Sequence, residues 1–268
     1  DRISPSNMMP NIEEAVTFTI TVSITTVMTL LVGDADEHAP SHTLAQEHQR
    51  LLDASGVLAF CEVATVPDLH AGVITCAQAN GFAGLDSNTA MFGWPNTDEV
   101  ASLGRMMSLV RKLDALGKCA LIHRDAPVAP DARREIVVWW AGREHNGDLM
   151  LLLAHLLSGS REHRDLRIVL KSITSTPEET GKRQRELSAM LEDIRIAAHF
   201  EVILRGEGDD LQQLIREHSA KASLVFLGLG APDVGEERAA AERMVSLASG
   251  LPPTILVRNG GPFRGRLV

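Results

Sequence analysis

The chain has few cysteines and no pair of them at a short spacing. Three occur among its 268 residues, Cys61, Cys76 and Cys119, and none belongs to a C-x-x-C motif. A disulfide framework or a structural zinc site needs an even set or closely spaced thiols. These scattered cysteines on apolar segments therefore indicate buried, reduced thiols in a cytosolic chain.

An excess of positive charge is also lacking. Lys and Arg number 26 against 35 Asp and Glu, which gives a formal net charge of −9. General binding to nucleic acid or to an anionic membrane surface depends on clustered basic side chains, and this balance argues against both. The hydrophobic content of 44% and charged content of 23% are typical of a soluble globular protein. The length fits one large or two ordinary domains.

The longest uncharged stretch, Ala15 to Val32, does not have the character of a membrane span. It is long enough to cross a bilayer, but it contains six threonines and has no basic flanks. We predict a buried helix that runs into a strand. The start of the chain has no basic segment of a signal peptide, and its first residue, Asp1, suggests a fragment of a longer protein.

The second half alternates apolar runs with helical segments. Thr176-Pro177-Glu178-Glu179 forms a capping box at the start of one helix, and Asp209 and Asp233 are predicted to cap the next two. Such β-α alternation predicts a parallel sheet with helices on both faces. The predicted strands are Glu135–Trp140, Leu166–Ser172, Glu201–Leu204, Ala222–Leu227 and Thr254–Val257.

The first half follows the same order with one strand missing at its front, because residues 2–10 are polar and hold two prolines. Asn96 and Glu99 give another capping signal. A proline-containing, aperiodic segment at 124–134 is predicted to be a linker. The chain is thus a tandem repeat of one α/β unit, 1–123 and 135–268. The predicted strands are Thr25–Val32, Val57–Val63, Thr89–Phe92 and Lys118–Ile122, and the predicted helices are Thr43–Ala54, Asp68–Asn80 and Thr97–Leu116.

Four stretches carry a family resemblance, in the same order as in that family. They are a glycine-containing loop and short strand ending in Gly-Trp-Pro (80–95), a strand ending in Trp139-Trp140 with a turn at Asn146-Gly147 and an apolar helix (135–157), a helix ending in Glu-His-Ser before a strand (214–227), and a final strand (251–258). Together they resemble the cytosolic C-terminal domain of cation-chloride cotransporters. Ser87 stands where that family often has proline.

The resemblance implies a fold and a role. The fold would be two tandem universal-stress-protein-like α/β units, each a mostly parallel sheet flanked by helices. The role would be that of a regulatory and dimerisation domain at the cytoplasmic face of a prokaryotic transporter, a secondary active carrier of K⁺ and/or Na⁺ with chloride. The expected partners are the transporter's own transmembrane domain and a second copy of the chain. Transport residues lie in the membrane spans, so no catalytic, cofactor-binding or metal residue is carried over to this sequence.

An alternative is a free-standing universal-stress-type protein that binds a nucleotide. Nucleotide-binding members hold phosphates on a glycine-rich loop after the fourth strand, where this chain has Gly228 to Gly235. Here Asp233, Glu236 and Glu237 would stand near the phosphates and repel them. The glycines serve a tight β-to-α turn equally well, and the sequence has neither a full G-x-G-x-x-G nor a P-loop motif.

Metal binding and hydrolysis find little support. Acidic residues and histidines gather after the predicted second strand, but a zinc site needs three or four convergent ligands, and only His38 and His42 have an i, i+4 spacing. No G-x-S-x-G elbow occurs, and Cys61 and Cys76 lie on segments where a thiol packs as a small hydrophobe. We expect no catalysis and no metal. The candidate cluster consists of Asp34, Asp36, His38, His42, Glu47 and His48.

The pair Trp139-Trp140 leaves two interpretations open. Adjacent strand residues face opposite sides of a sheet, so one ring can pack under each helical layer. Alternatively, one ring can reach the crevice at the carboxyl end of the strand, where α/β sheets often bind ligands.

Overall fold

The structure is a computed structural model that describes residues 15–20, 24–34, 41–82, 85–95, 99–141, 146–160, 163–194 and 196–263. The chain forms two compact units, 1–93 and 94–268. Both combine a β-sheet with helices, which confirms the predicted α/β class.

Four strands of the first unit are hydrogen-bonded neighbours in the order β3-β2-β1-β6. β2 and β3 are parallel, whereas β1 runs antiparallel to both of its neighbours, β2 and β6. Two further short strands, β4 and β5, pair with each other. The strands are β1 (Ala15–Ile20), β2 (Ile24–Val32), β3 (Phe60–Val66), β4 (Gly81–Phe82), β5 (Leu85–Asp86) and β6 (Thr89–Gly93), and the helices are α1 (Ser41–Ala54) and α2 (Leu69–Ala79).

The stretch from Ala15 to Val32 is wrongly predicted in its first part. Instead of a helix that runs into a strand, it contains two antiparallel strands, β1 and β2. Its threonines, valines and isoleucines are β-branched residues, which favour strands over helices. β1 also occupies the sheet position between β2 and β6 that the sequence analysis left vacant. The front of the unit therefore has a strand, but one of reversed direction.

Six strands of the second unit are hydrogen-bonded neighbours in the order β10-β9-β8-β11-β12-β7. The pairs are parallel except that β7 runs antiparallel to β12. This confirms the predicted parallel sheet. The strands are β7 (Cys119–Arg124), β8 (Glu135–Trp139), β9 (Arg167–Thr174), β10 (Ala198–Leu204), β11 (Leu224–Gly228) and β12 (Thr254–Arg258), and the helices are α3 (Glu99–Ala115), α4 (Asp148–Ser158), α5 (Pro177–Asp193), α6 (Leu211–Ser219) and α7 (Glu237–Ala248).

The compact units do not divide at the predicted linker. Segment 124–134 connects β7 to β8 within the second unit, because β7 pairs with β12 and α3 packs against α7. Prolines mark this segment as irregular, but they carry no information about which distant strand β7 joins. The repeat itself stays a prediction, and strand order supports it: β3-β2-β1-β6 of the first unit matches β10-β9-β8-β11 of the second in position.

The core of the second unit lies on both faces of its central strands. Val138, Leu170 and Phe226 have no exposed side-chain area, and β8 is buried over most of its length. A parallel strand covered on both faces needs apolar side chains at successive positions, which explains the nearly continuous apolar runs. Each such side chain contributes roughly 1.5–3 kcal/mol on burial.

Of the four predicted helix caps, Asn96 lies outside the described residues, and one of the other three is confirmed. The Thr176 hydroxyl accepts a hydrogen bond from the Glu179 N–H at 3.2 Å, which confirms the cap. The Glu179 carboxylate reaches back as predicted, but it accepts from the Ser175 N–H at 2.9 Å and not from that of Thr176. The cap of α6 is Asp210, not Asp209, whose carboxylate instead accepts from the Gly206 N–H. Asp233 is not a cap either, because α7 begins four residues later, at Glu237. Asp209 and Asp210 are adjacent and give equal capping signals, so the sequence does not show which of them caps α6.

None of the described helices combines the length and the apolar character needed to cross a bilayer. The apolar stretch at 15–32 that invited this question forms strands in its described part.

The Thr176 cap gives a stability prediction. Thr176→Ala should lower the free energy of unfolding by about 1 kcal/mol, because it leaves a backbone N–H of the first turn of α5 without its acceptor. Urea unfolding followed by circular dichroism measures the change. Ser188→Ala, in the middle of the same helix, is the matched control and should stay within about 0.5 kcal/mol. Equal effects of the two substitutions would contradict the cap.

Candidate functional site

The candidate site is the crevice at the carboxyl ends of β8 and β11. The chain leaves β8 toward β9 on one side and leaves β11 toward β12 on the other, so the strand order reverses between these two neighbours. At such a switch point the two connections diverge and open a crevice, where open α/β sheets bind ligands. The glycine loop of the nucleotide alternative follows β11 at this edge.

A single amide side chain fills this crevice. The Asn146 Nδ2 donates to the Leu229 carbonyl at 3.1 Å, and its Oδ1 accepts from the Asn259 N–H at 2.8 Å. Asn146 is buried, with 7% of its surface exposed. These two bonds, termed the Asn146 bridge below, tie the segment after β8 to the residues that directly follow β11 and β12.

Gly228 is the residue that lets the amide come this close. A Cβ built on Gly228 would lie 3.0 Å from the Asn146 Nδ2, tighter than ordinary van der Waals contact. The absent side chain therefore serves the approach of Asn146 to the backbone. A glycine at position 228 is therefore explained by packing against Asn146, and phosphate binding is not needed to explain it.

A buried carboxylate stands beside the bridge. Asp148, in the first turn of α4, has 1% of its surface exposed. A negative charge is favourable at a helix N-terminus, which carries a positive partial charge. Nucleotide sites use the same kind of helix end to hold phosphate. Asp148 thus places an acidic side chain of the chain itself at the kind of helix end that holds a phosphate in nucleotide sites.

The loop between β11 and α7 is also held by its own residues. The Glu237 carboxylate accepts from the Gly235 N–H at 2.8 Å and pairs with Arg111 at 3.2 Å. The pKa of Glu237 is lowered by its own and the Gly235 backbone N–H groups and by Arg111, against an opposing effect of burial. Asp233 and Glu236 are exposed in the same loop. Their charges disfavour an anionic ligand, as the sequence analysis expected.

The two tryptophans lie on opposite faces of the sheet. The Trp139 Nε1 donates to the Ser219 hydroxyl at 2.9 Å, under α6. Trp140 faces α5 and borders a cleft of about 330 Å³ whose floor includes Leu187 and Met190. Both rings are buried. The interpretation with one ring under each helical layer agrees with these contacts.

A charged cluster on the Trp139 face was missed by the sequence analysis. The Lys171 Nζ of β9 lies 2.7 Å from the Glu201 Oε2 of β10, and the His218 Nδ1 of α6 lies 3.4 Å from the other carboxylate oxygen. The Lys171 side chain is 10% exposed. Burial opposes ionisation of Glu201, but the hydrogen bond and charge of Lys171, with a smaller effect of His218, lower its pKa. The available signal was a lysine that directly follows the apolar run 168–170 inside a predicted strand.

The residues considered for a metal or thiol site do not converge where the structure describes them. His42 and His48 are both on α1, and the buried His48 Nδ1 lies 3.2 Å from the Thr29 hydroxyl. Asp36 and His38 lie outside the described residues. Where the structure describes the chain, no three His, Cys, Asp or Glu side chains converge. Burial and the neighbouring Glu62 raise the pKa of the Cys61 and Cys76 thiols, which keeps them protonated and unreactive near neutral pH.

The Asn146 bridge predicts a large effect of a small substitution. Asn146→Ala should lower the free energy of unfolding by about 2–4 kcal/mol, because it leaves a buried carbonyl and a buried N–H without partners. Asn146→Asp is the informative comparison, since it keeps the acceptor for Asn259 but turns an oxygen toward the Leu229 carbonyl. Both changes are measured by urea unfolding. A loss below about 0.5 kcal/mol for the alanine variant would contradict a structural role for the bridge.

The lowered pKa of Glu201 predicts a pH dependence of stability. Its ordinary value is 4.5, so the ionised carboxylate stabilises the fold above about pH 4.5 and loses this effect as the pH falls through the lower folded-state pKa. Glu201→Gln should therefore destabilise the chain at pH 7, by about 1 kcal/mol after solvent screening. The difference from the wild type should shrink below pH 4. Urea unfolding at a series of pH values tests this, and a constant difference would contradict it.

Comparisons with known proteins bear on the fold. No protein-family model matches the sequence. Among solved structures, the chain is similar to the cytoplasmic domain of a prokaryotic cation chloride cotransporter, with a TM-score of 0.62 and 18% sequence identity over 91% of this chain and 89% of that chain.

Two universal stress proteins share the fold less closely. One, from Pseudomonas aeruginosa UCBPP-PA14, has a TM-score of 0.52 and 15% identity over 85% of this chain and 81% of that chain. The other, from Archaeoglobus fulgidus DSM 4304, has a TM-score of 0.51 and 14% identity over 88% and 86%. The chain therefore has a universal-stress-protein-like α/β fold, like that of a cation chloride cotransporter's cytoplasmic domain.

Proposed function

We propose that this chain is the cytosolic regulatory and dimerisation domain of a secondary active transporter that carries K⁺ and/or Na⁺ together with chloride. The observation that carries the proposal is the likeness to the cytoplasmic domain of a prokaryotic cation chloride cotransporter, because it extends over nine tenths of both chains. In this proposal the chain has no catalysis of its own and acts at the cytoplasmic face of the membrane, next to its transmembrane domain.

The candidate site supports this proposal by its chemistry. A crevice that the Asn146 bridge fills, with a buried carboxylate beside it, suits a rigid body better than a ligand pocket. A domain of this kind regulates through contact surfaces. Its dimer contacts and its contacts with the transmembrane domain would favour one transport state over another, and such coupling is typically worth about 1–3 kcal/mol.

The second candidate function is that of a free-standing universal-stress-type protein that binds a nucleotide. The likeness to two universal stress proteins favours it. The Asn146 bridge, Asp148 and the acidic loop after β11 oppose it, because they occupy or repel the phosphate position.

The proposed role predicts an effect on ion flux. The full-length protein in proteoliposomes should take up Rb⁺, a potassium analogue, in a chloride-dependent manner, and replacement of chloride by gluconate is the control. Deletion of this domain should change the uptake rate by about fivefold or more, since a coupling of 1 kcal/mol corresponds to a factor of about five. Chloride-independent uptake would contradict the transport assignment, and an unchanged rate after deletion would contradict the regulatory role.

The nucleotide alternative predicts binding heat. Isothermal titration of the wild-type chain with millimolar ATP should give no stoichiometric heat if the crevice is filled as described. Saturable heat that disappears in Gly228→Val would instead favour the stress-protein function. Gly230→Val is the matched control, because nothing lies within 4 Å of a Cβ built at that position.

A further inference from the structure

The outer edge of β3, in the first unit, is the side of this strand that faces away from β2. Among the strands that the structure describes, β3 stands at one end of the hydrogen-bonded order. The Gly33 N–H donates to the Val66 carbonyl at 3.0 Å, so the even-numbered residues of β3 direct their backbone groups toward β2. The odd-numbered residues direct theirs outward. An outward row of N–H and C=O groups is a template on which a strand of another molecule can pair.

The side chain of Gln49 covers the start of this edge. Its Nε2 donates to the Ala59 carbonyl at 2.9 Å, and its Oε1 accepts from the Cys61 N–H at 2.9 Å. These are the outward backbone groups on either side of Phe60. In a parallel ladder, a residue of the neighbouring strand makes the same pair of bonds through its own N–H and C=O. The Gln49 carboxamide therefore takes the place of one residue of a further strand.

The helix α1 fixes the position of this amide. The Gln49 Nε2 also donates to the Asp53 Oδ1 at 3.0 Å, one turn later in the helix, so both of its N–H groups have acceptors. The preceding residue, His48, is buried, and its Nδ1 lies 3.2 Å from the Thr29 hydroxyl of β2. One residue thus holds α1 over β2, while the next extends to the outer edge of β3.

The end of β3 that the amide covers is apolar and exposed. Phe60 is 58% exposed, and Leu58, just before the strand, is 94% exposed. Farther along, the strand carries the exposed charge of Glu62, and Pro67 follows directly after its last residue. Charged residues and prolines on an edge strand discourage pairing with other chains. The start of the strand has neither, and the amide lies at that point.

The terminal strand β10 of the second unit is protected by charge. It holds the exposed His199 and Glu201, and the Glu201 carboxylate lies 2.7 Å from the Lys171 Nζ of β9. Charges at and under an edge strand discourage pairing. Where β10 uses charged side chains, the start of β3 uses a side-chain amide.

We propose that Gln49 is an autoinhibitory contact: its carboxamide occupies the strand-pairing groups of Ala59 and Cys61 and thereby prevents pairing between chains at the start of β3. The inference goes beyond the proposed function and does not depend on it, because the amide and its partners all belong to the first unit of one chain. The competing explanation is a purely structural role, in which Gln49 only holds α1 against β3.

Gln49→Ala frees both backbone groups. Sedimentation velocity over a range of concentrations should then show species larger than those of the wild-type chain. The association constant should rise about tenfold, because the freed groups can make two hydrogen bonds with another chain. Circular dichroism checks that the variant is folded. If it is not, Gln49→Asn replaces it, because its amide is one methylene too short to reach both partners.

Gln49→Glu separates a freed edge from lost stability. It keeps an oxygen for the Cys61 N–H, loses the donor to the Ala59 carbonyl and adds a charge at the edge. This variant should therefore unfold at a lower urea concentration than the wild type, yet keep the wild-type sedimentation profile. Gln46→Ala, at an exposed position of the same helix, is the matched control and should change neither property.

A second substitution assigns the association to β3. Phe60→Lys in the Gln49→Ala chain should restore the wild-type sedimentation profile, because a lysine on an edge strand discourages pairing and this position is exposed.

Three results would each overturn the inference. They are a wild-type profile for Gln49→Ala, equal association of Gln49→Ala and Gln49→Glu, and association that Phe60→Lys does not reverse. The first result would leave Gln49 a structural contact, and the second would trace association to lost stability. None of these measurements involves ion flux, so their failure would leave the transport assignment unaffected.

Discussion

The hydrogen bonds of one buried amide hold together the carboxyl edge of the sheet in the second unit. Asn146 joins the ends of three strands, β8, β11 and β12, through one carbonyl and one N–H. Breaking either bond would leave a buried polar group unpaired, which costs more than the bond itself contributes. Gly228 has no side chain, and this lets Asn146 approach the backbone. The geometry of the loops at this edge depends on that contact.

A filled switch point changes what the fold is suited to do. In α/β sheets this crevice is the usual ligand position, and here the chain's own amide and the buried Asp148 occupy its surroundings. This edge of the sheet therefore leaves less room for a ligand than the usual crevice of such sheets.

Sequence patterns predicted the elements well and the contacts between them poorly. Nearly continuous apolar runs identified the parallel strands, because a strand that is buried on both faces has apolar residues at successive positions. The direction of β1 could not be predicted in this way, because β-branched residues favour a strand without fixing its orientation. In the Asn146 bridge, Leu229 lies 83 positions and Asn259 lies 113 positions along the chain from Asn146. A turn motif at Asn146-Gly147 does not reveal such distant partners. The Lys171 cluster was visible as one lysine in an apolar strand, but its partners come from β10 and α6.

The most direct test of the central claim is to determine the native reading frame around this chain. If the chain is the cytosolic domain of a transporter, the frame upstream should encode about a dozen apolar segments of about 20 residues each. A frame with no such segments on either side of the chain would contradict the account, and the stress-protein function would then be the one to pursue.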